Sequence, residues 1–348
     1  MSGPVILVTG GTGFVGGAVL AEWLQSDRPG RVLALVRAAS DDDAFDRVHR
    51  SVSRFGGTIS RRSERVQVRA GTLSSILEDP RLETATHVLH LAAETSFLPG
   101  PDTRKTNVDA ALRLAFRMRE VGGLRRYLHV STAMICGDDP GRVVREDDFP
   151  RDGVRHLVAY SESKAEAELG LPDDPRFVVA RPSIVVGHTS LGCEPSASIF
   201  WAFRAMHQRS GRRWGLPGRI DVVPVDWTAT ALLDLLQAPT LRHRVYHLSA
   251  GPARASRLSE IATALGPIPR REPLGARVLG ALRMYRRFAA LDVVFDNARL
   301  LAEGVLPPPT FLSYLPTCLR RSRDRSIEEQ MRDDAEAVPQ EDGARRRP

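Results

Sequence analysis

Tyr160 and Lys164, in the run Tyr160-Ser161-Glu162-Ser163-Lys164, are the residues of this chain best suited to chemistry. Of its 49 lysines and arginines only Lys105 and Lys164 are lysine, and the 348 residues contain five tyrosines. A Tyr-x-x-x-Lys pair is therefore improbable by chance in this composition. On a helix, residues four apart share a face, so the phenol and the ammonium can point into one site. An ammonium beside a tyrosine favours the phenolate and lowers a pKa that is otherwise about 10. Such a phenol donates or accepts a proton near neutral pH. A forked, bulkier guanidinium does not replace a compact ammonium in that task. The plain alternative is an incidental pair on a solvated helix.

The elements that must position this pair begin at the N-terminus. Val5-Ile6-Leu7-Val8 is an apolar run of the buried-strand type, followed at once by Thr9-Gly10-Gly11-Thr12-Gly13-Phe14-Val15-Gly16 and then a helical pattern (Ala18, Val19, Leu20, Trp23, Leu24). A strand, a glycine turn and a helix in this order make a dinucleotide site. The glycines let the backbone approach a pyrophosphate, which rests on the helix N-terminus. The spacing Gly10-x-x-Gly13-x-x-Gly16 differs from the G-x-G-x-x-G form, and no Gly-Lys-Ser/Thr follows, which argues against a nucleoside-triphosphate loop.

Further strands are expected at Arg31–Arg37, Arg65–Arg69, His87–Leu91, Tyr127–Val130 and Phe177–Ala180, with helices between them, including Asp102–Val121 and Tyr160–Leu169. Alternation of this kind predicts an α/β fold with a doubly wound parallel sheet, whose ligands bind beyond the strand carboxyl ends. Gly10, Arg37, Ala92, Ala93, Thr132 and Pro182 all fall there. The dinucleotide-binding domain is expected over 1–186, with 220–250 returning to it. A smaller substrate lobe follows over 187–319, and a disordered charged tail over 320–348, ending Arg345-Arg346-Arg347-Pro348.

The composition, 42% apolar and 26% charged, is that of a globular protein. No apolar run is long enough to span a bilayer and no signal segment opens the chain. Cys136, Cys193 and Cys318 form no pairable pattern, no Cys/His cluster has metal-ligand spacing, and a reducing cytoplasm fits. The net charge of +7 comes from arginines scattered among 42 acidic residues, which argues against nucleic acid while still attracting anionic substrates.

The ordered set TGGTGFVG (9–16), HLAAETSF (90–97), Asn107, VSTAMICG (130–137), YSESK (160–164) and RPSIVVG (181–187) resembles the extended short-chain dehydrogenase/reductase family over roughly residues 4–250. The resemblance implies a Rossmann domain with a C-terminal substrate lobe, and a nicotinamide cofactor held by Gly10, Thr12, Gly13, Phe14, Val15, Gly16, Arg37, Thr72, Leu73, Ala92, Ala93, Tyr160, Lys164, Pro182 and Ile184. It further implies Tyr160 as acid/base and Lys164 tuning the phenol and bonding the nicotinamide ribose. Thr132, rather than Ser131, would bond the reacting oxygen, and Asn107 would support the proton relay.

Arg37 stands where an acidic residue would take the ribose 2′-hydroxyl of NAD, so NADP is expected as cofactor. Ala70-Gly71-Thr72-Leu73 lacks the Asp that the family often places after the glycine ending the third strand. Within the family, HLAAETSF, RPSIV, Glu194-Pro195 and Asp221-Val222-Val223-Pro224-Val225-Asp226 are similar to fatty acyl-CoA reductases and thioester reductases. That branch implies NADPH-dependent reduction of an acyl thioester, on CoA or a carrier protein, to an aldehyde or alcohol. A ketone, aldehyde or hydroxysteroid-type dehydrogenase, a nucleotide-sugar epimerase or dehydratase, and a non-catalytic NADP sensor are the alternatives, and a homodimer is compatible with the sequence. Asp226 reads as a helix N-cap and Glu194 as a loop carboxylate. Ser198–Met206 reads as core rather than an acyl channel. Leu274–Arg287 reads as a basic helix that caps the lobe with its apolar face, lies on a membrane or covers the substrate mouth.

Overall fold

The computed structural model describes residues 3–95, 103–196, 198–211, 214, 218–267 and 272–336, with side chains through Arg332. Seven strands form the main sheet: β1 (Val5–Thr9), β2 (Arg31–Val36), β3 (Val66–Ala70), β4 (His87–His90), β5 (Arg126–Val130), β6 (Phe177–Pro182) and β7 (Val245–Leu248). Their order is β7-β6-β5-β4-β1-β2-β3, and every pairing is parallel. This is the doubly wound arrangement expected from the alternating pattern, with its switch point between β1 and β4.

The strands are apolar on both faces because helices cover both. On one face α1 (Phe14–Gln25), α2 (Asp41–Ser53) and, later in the chain, Val225–Gln237 bury Trp23, Val48, Val52, Leu232 and Leu236 against Ile6, Val8, Leu89 and Leu128. On the other, α3 (Ala111–Arg119) packs Leu114 and Met118 against Leu7, Val88, Tyr127 and Phe177. Each such side chain contributes about 1.5–3 kcal/mol on burial. The expected helix over 102–121 is not uniform: Lys105–Ala110 is π-helical before α3 begins, a wider turn that the apolar periodicity does not reveal. Asp102 lies outside the described residues, as do Ser96 and Phe97.

The helix α4 (Ala159–Gly170) carries the Tyr-x-x-x-Lys pair. A second core forms the lobe. Phe200, Trp201, Phe203 and Met206 of α5 (Phe200–Ser210) are fully buried there with Trp214, Phe311 and Tyr314, so this stretch is core, as expected. The later helix of the first core is α6 (Val225–Gln237), which packs on α1. Its N-cap is Pro224, not Asp226. The Asp226 carboxylate instead accepts the Thr189 N–H at 3.1 Å and bonds the Thr189 hydroxyl, tying the 187–196 loop to the helix start.

The basic segment forms α7 (Ala276–Ala289), which turns Val278 and Leu282 into the lobe core and sets Tyr285 edge-on to Trp201 at 5.2 Å. It caps the lobe. The expectation of a disordered tail from Arg320 is corrected as far as Glu336. Two helices, α8 (Phe311–Ser322) and α9 (Ile327–Glu336), occupy this stretch. The reason is a buried seam inside a charged sequence. Cys318, Ile327 and Gln330 are almost fully buried, and Arg204 donates to the carbonyls of Ser322 (3.0 Å) and Arg325 (2.8 Å). Residues 337–348, with the terminal arginines, lie outside the described residues.

Candidate active site

The turns at the carboxyl ends of the strands enclose a cleft of about 570 Å³. The first glycine turn forms its floor. Gly10 has φ +75°, and a Cβ there would stand 2.6 Å from the Ala92 nitrogen, so only glycine lets the β1 and β4 turns meet. A Cβ at Gly16 would stand 2.1 Å from the Gly10 carbonyl oxygen. Gly13 is different. It is extended, and its Cβ would meet only the Gly10 carbonyl oxygen, at 3.5 Å. The space beside it is left open, directly over the N-terminus of α1. That N-terminus has no side-chain cap and no acidic residue in its first turn. An uncapped helix N-terminus facing an open cradle fits a pyrophosphate.

The cleft wall brings together Gly10, Thr12, Gly13, Phe14, Val15, Gly16, Arg37, Thr72, Leu73, Ala92, Ala93, Thr132, Tyr160, Lys164 and Pro182. Two expected residues are not there. Strand alternation turns Ile184 away from the cleft toward Met134 and Phe288, while its neighbours Ser183 and Val185 line the wall. Asn107 is buried behind the wall at 1% exposure. Its carboxamide accepts the Glu94 N–H (2.7 Å) and donates to the Glu94 carbonyl (2.9 Å) and Ser163 Oγ (3.0 Å). Ser163 donates in turn to the Tyr160 carbonyl at 2.8 Å. Asn107 therefore fastens the β4 turn to α4, a positioning task.

Thr132 caps the short 3₁₀ turn Ala133–Cys136, its oxygen accepting the Met134 N–H at 3.2 Å. With one lone pair so engaged, its O–H remains for the cleft. Ser131 also lines the cleft, and its Oγ has no partner among the described residues. Lys164 is 1% exposed and donates to the Val130 carbonyl at 2.7 Å. The expected lowering of the phenol does not hold in the protein alone. Burial pushes Tyr160 up to about 12 and Lys164 down to about 8, with Glu168 opposing the latter shift. Loss of water disfavours the charged form of each group, which raises the phenol and lowers the ammonium. Tyr160 is thus a firmly held proton, and Lys164 is cationic only below about pH 8.

Arg47 is not among the residues expected at the site from the sequence. It lies on α2, half-buried in the cleft wall, and donates to the Arg37 carbonyl. Burial, then the neighbouring Arg37 and Arg50, lower its pKa, so guanidiniums gather at this end of the cleft. The signal was faint: an arginine one turn past an acidic helix start (Asp41–Asp43), on a helix that must begin beside the end of β2. Thr72 is engaged with Ser75, whose N–H its hydroxyl accepts at 3.1 Å. Glu194, the expected loop carboxylate, pairs with Arg321 at 2.7 Å. Among the described residues there is no group of His, Cys, Asp and Glu arranged to hold a metal ion, and no helix long and apolar enough to cross a membrane.

The model of the NAD-binding male sterility protein family matches residues 8–232. The chain belongs to that family, a branch of the extended short-chain dehydrogenases/reductases. It is 27% identical over 278 residues to the non-canonical nonribosomal peptide synthetase FrzA of a Cladobotryum species, covering 72% of this chain and 26% of that protein. Aldehyde reductase lnaA of Aspergillus flavus is 27% identical over 268 residues, covering 70% of this chain and 25% of that protein. The chain thus spans about a quarter of the length of these curated relatives. Among solved structures, the terminal R domain of the myxalamid PKS-NRPS pathway superposes with a TM-score of 0.77 at 22% identity, covering 94% of this chain and 92% of that one. The thiolation-reductase di-domain of an archaeal nonribosomal peptide synthetase superposes with a TM-score of 0.67 at 18% identity, covering 92% and 90%. These likenesses agree with the Rossmann-type fold, and the family fixes a nicotinamide cofactor and an NAD(P)-dependent oxidoreductase.

Proposed function

We propose that this protein reduces an acyl thioester, carried on a pantetheine arm of a carrier protein or CoA, with NADPH as the electron donor. The observation that carries the reading is the convergence of Thr132, Tyr160 and Lys164 on one cleft whose opposite end is an open phosphate cradle flanked by Arg37 and Arg47. The relatedness to nonribosomal peptide synthetases and to an aldehyde reductase supports the thioester class.

The glycine turn and α1 would hold the pyrophosphate, Arg37 and Arg47 the 2′-phosphate, and Lys164 the nicotinamide ribose; the bound nicotinamide supplies hydride. The chain's own residues do the rest. The Thr132 O–H and the Tyr160 O–H bond the carbonyl oxygen of the thioester. As negative charge develops there, each such donor stabilises it by about 3–4 kcal/mol. Tyr160 then gives its proton to that oxygen, leaving a hemithioacetal, and Lys164 reprotonates the tyrosinate. Collapse of the hemithioacetal releases thiol and aldehyde. A second round at the same centre would give the alcohol.

Arg37 and Arg47, two guanidiniums gathered at the end of β2, favour NADPH over NADH. They also weigh against the nucleotide-sugar reading, although structures with NAD such as Bordetella bronchiseptica WbmG share the fold at a TM-score of 0.63. The test is product identification. Incubation with NADPH and acyl-pantetheine, acyl-CoA and acyl-carrier thioesters should yield aldehyde or alcohol with release of free thiol. Turnover of free ketones or sugar nucleotides with every thioester inert would contradict the reading.

A further inference from the structure

Beneath Lys164 the sheet carries imidazoles where an apolar layer is usual. His90 on β4 and His129 on β5 are register partners, and both are 0% exposed. Their ring centroids are 5.4 Å apart. Alternation along the strands puts them on the same face as Leu7, Val88 and Tyr127, under α3 and α4. His90 Nδ1 meets Thr9 Oγ1 at 2.8 Å, and Thr9 Oγ1 also accepts the Ala92 N–H at 3.2 Å. Whichever tautomer His90 adopts, its Nε2 is without a partner among the described residues, and so are both ring nitrogens of His129. Three orphaned, fully buried nitrogens in one layer are exceptional, because such atoms are nearly always paired with protein or ordered water.

The layer adjoins the proton-transfer centre. Lys164 spends one of its three N–H donors on the carbonyl of Val130, the residue after His129. Asn107, expected to serve the relay, has both amide donors committed to Glu94 and Ser163. We propose that His90 and His129 hold ordered water against Lys164, and that this imidazole–water chain returns to Lys164 the proton it passes to Tyr160. The inference rests on the Tyr160–Lys164 reading above. Each reduction step moves one proton from Tyr160 to the carbonyl oxygen, one from Lys164 to the tyrosinate and one from the chain to Lys164, replaced from solvent. No electrons move through the chain.

The groups facing this layer are His90 on β4, Tyr127 and His129 on β5, Arg181 on β6, His247 on β7, and Tyr160, Lys164 and Glu168 on α4. Burial, then the Lys164 charge, pushes His90 down to about 3 and His129 well below its ordinary range. Both rings are therefore neutral in the working range. A neutral imidazole carries one N–H and one lone pair, which suits it to pass a proton rather than store one.

The chain's two lysines make the test direct, because protein labelled with [¹³Cε]lysine gives one NMR signal from Lys105 and one from Lys164. In His129→Leu, loss of the water that solvates the ammonium should lower the Lys164 titration midpoint by about one unit. In His129→Gln, an amide still holds water but cannot exchange tautomers. The Lys164 midpoint should then stay near wild type while kcat falls about tenfold, with a larger solvent deuterium isotope effect and unchanged KM. Wild-type kcat and isotope effect in His129→Gln would overturn the relay, and an unmoved Lys164 midpoint in His129→Leu would overturn the water site. If the wild-type protein reduces no thioester, the functional reading fails, while the lysine titration still decides the water site.

Discussion

At the scale of single residues, burial sets the chemistry. Tyr160 at about 12 keeps its proton throughout the accessible pH range, so the pH dependence of reduction belongs to Lys164. Its charged form is present below about pH 8 and lost above it. We predict that kcat for reduction is flat from pH 6 to 7 and falls through about pH 8. The stability effect has the opposite sign. Between about 8 and the ordinary lysine value of 10.5 the unfolded chain binds more protons, so folding stability rises with pH across that window. At the far end of the cleft, Arg37→Ala and Arg47→Ala should each raise the KM for NADPH about 10–100-fold, as expected for a charge-assisted hydrogen bond of about 1.5–3 kcal/mol, while leaving that for NADH unchanged. Equal losses with both cofactors would remove the 2′-phosphate role. The Tyr-x-x-x-Lys pair stands out in the sequence by residue type and spacing, and Thr132 enters only through the family resemblance; all three line the cleft. Arg47 and the buried histidines do not stand out, since nothing local distinguishes a gathered guanidinium or a buried imidazole from a surface one.

At the scale of elements, backbone proximity explains the glycines, and Gly13 separates fold from function. Gly13→Ala meets no obstacle closer than 3.5 Å and should leave the melting temperature nearly unchanged. It places a methyl group in the phosphate cradle, so NADPH affinity measured by calorimetry should fall at least about tenfold. Unchanged affinity would mean that the cradle does not receive the pyrophosphate. Glu168 has a structural counterpart role on α4. With side-chain exposures of 3% and 1%, Glu168 and Arg181 form a buried pair at 2.6 Å, and Arg181 also donates to the carbonyls of Glu146 (2.9 Å) and Phe149 (2.8 Å). Glu168→Ala leaves a guanidinium uncompensated, so chemical denaturation should show a loss of about 3–5 kcal/mol. The strands and most helices were legible because apolar runs alternate with 3.6-residue periodicity. The π-helical turn at Lys105–Ala110 was not, because one wide turn barely alters the pattern of apolar positions.

At the scale of the whole molecule, the lobe builds a core of its own beside that of the Rossmann sheet. The lobe closes through long-range contacts that local sequence does not announce. Gly192 lies so near Thr317 and Cys318 that a Cβ would stand 2.7 Å from the Thr317 carbonyl oxygen, and Phe203 packs on Phe311 at 5.4 Å. This is why a charged stretch that reads from Arg320 as a disordered tail carries a buried seam, in helices that run as far as Glu336. Truncation after Thr310 should expose Trp201 and Phe203 and yield aggregated protein on size-exclusion chromatography, whereas truncation after Glu336 should leave a folded chain.

The central claim is that one cleft couples NADPH to a thioester through Tyr160. Its most direct test is NADPH oxidation, followed by absorbance, with an acyl-pantetheine thioester, for wild type and Tyr160→Phe side by side. Thioester-dependent oxidation in wild type that drops at least about a hundredfold in the variant, with NADPH affinity retained, is the expected result. Equal rates in the two proteins, or no oxidation with any thioester, would contradict it.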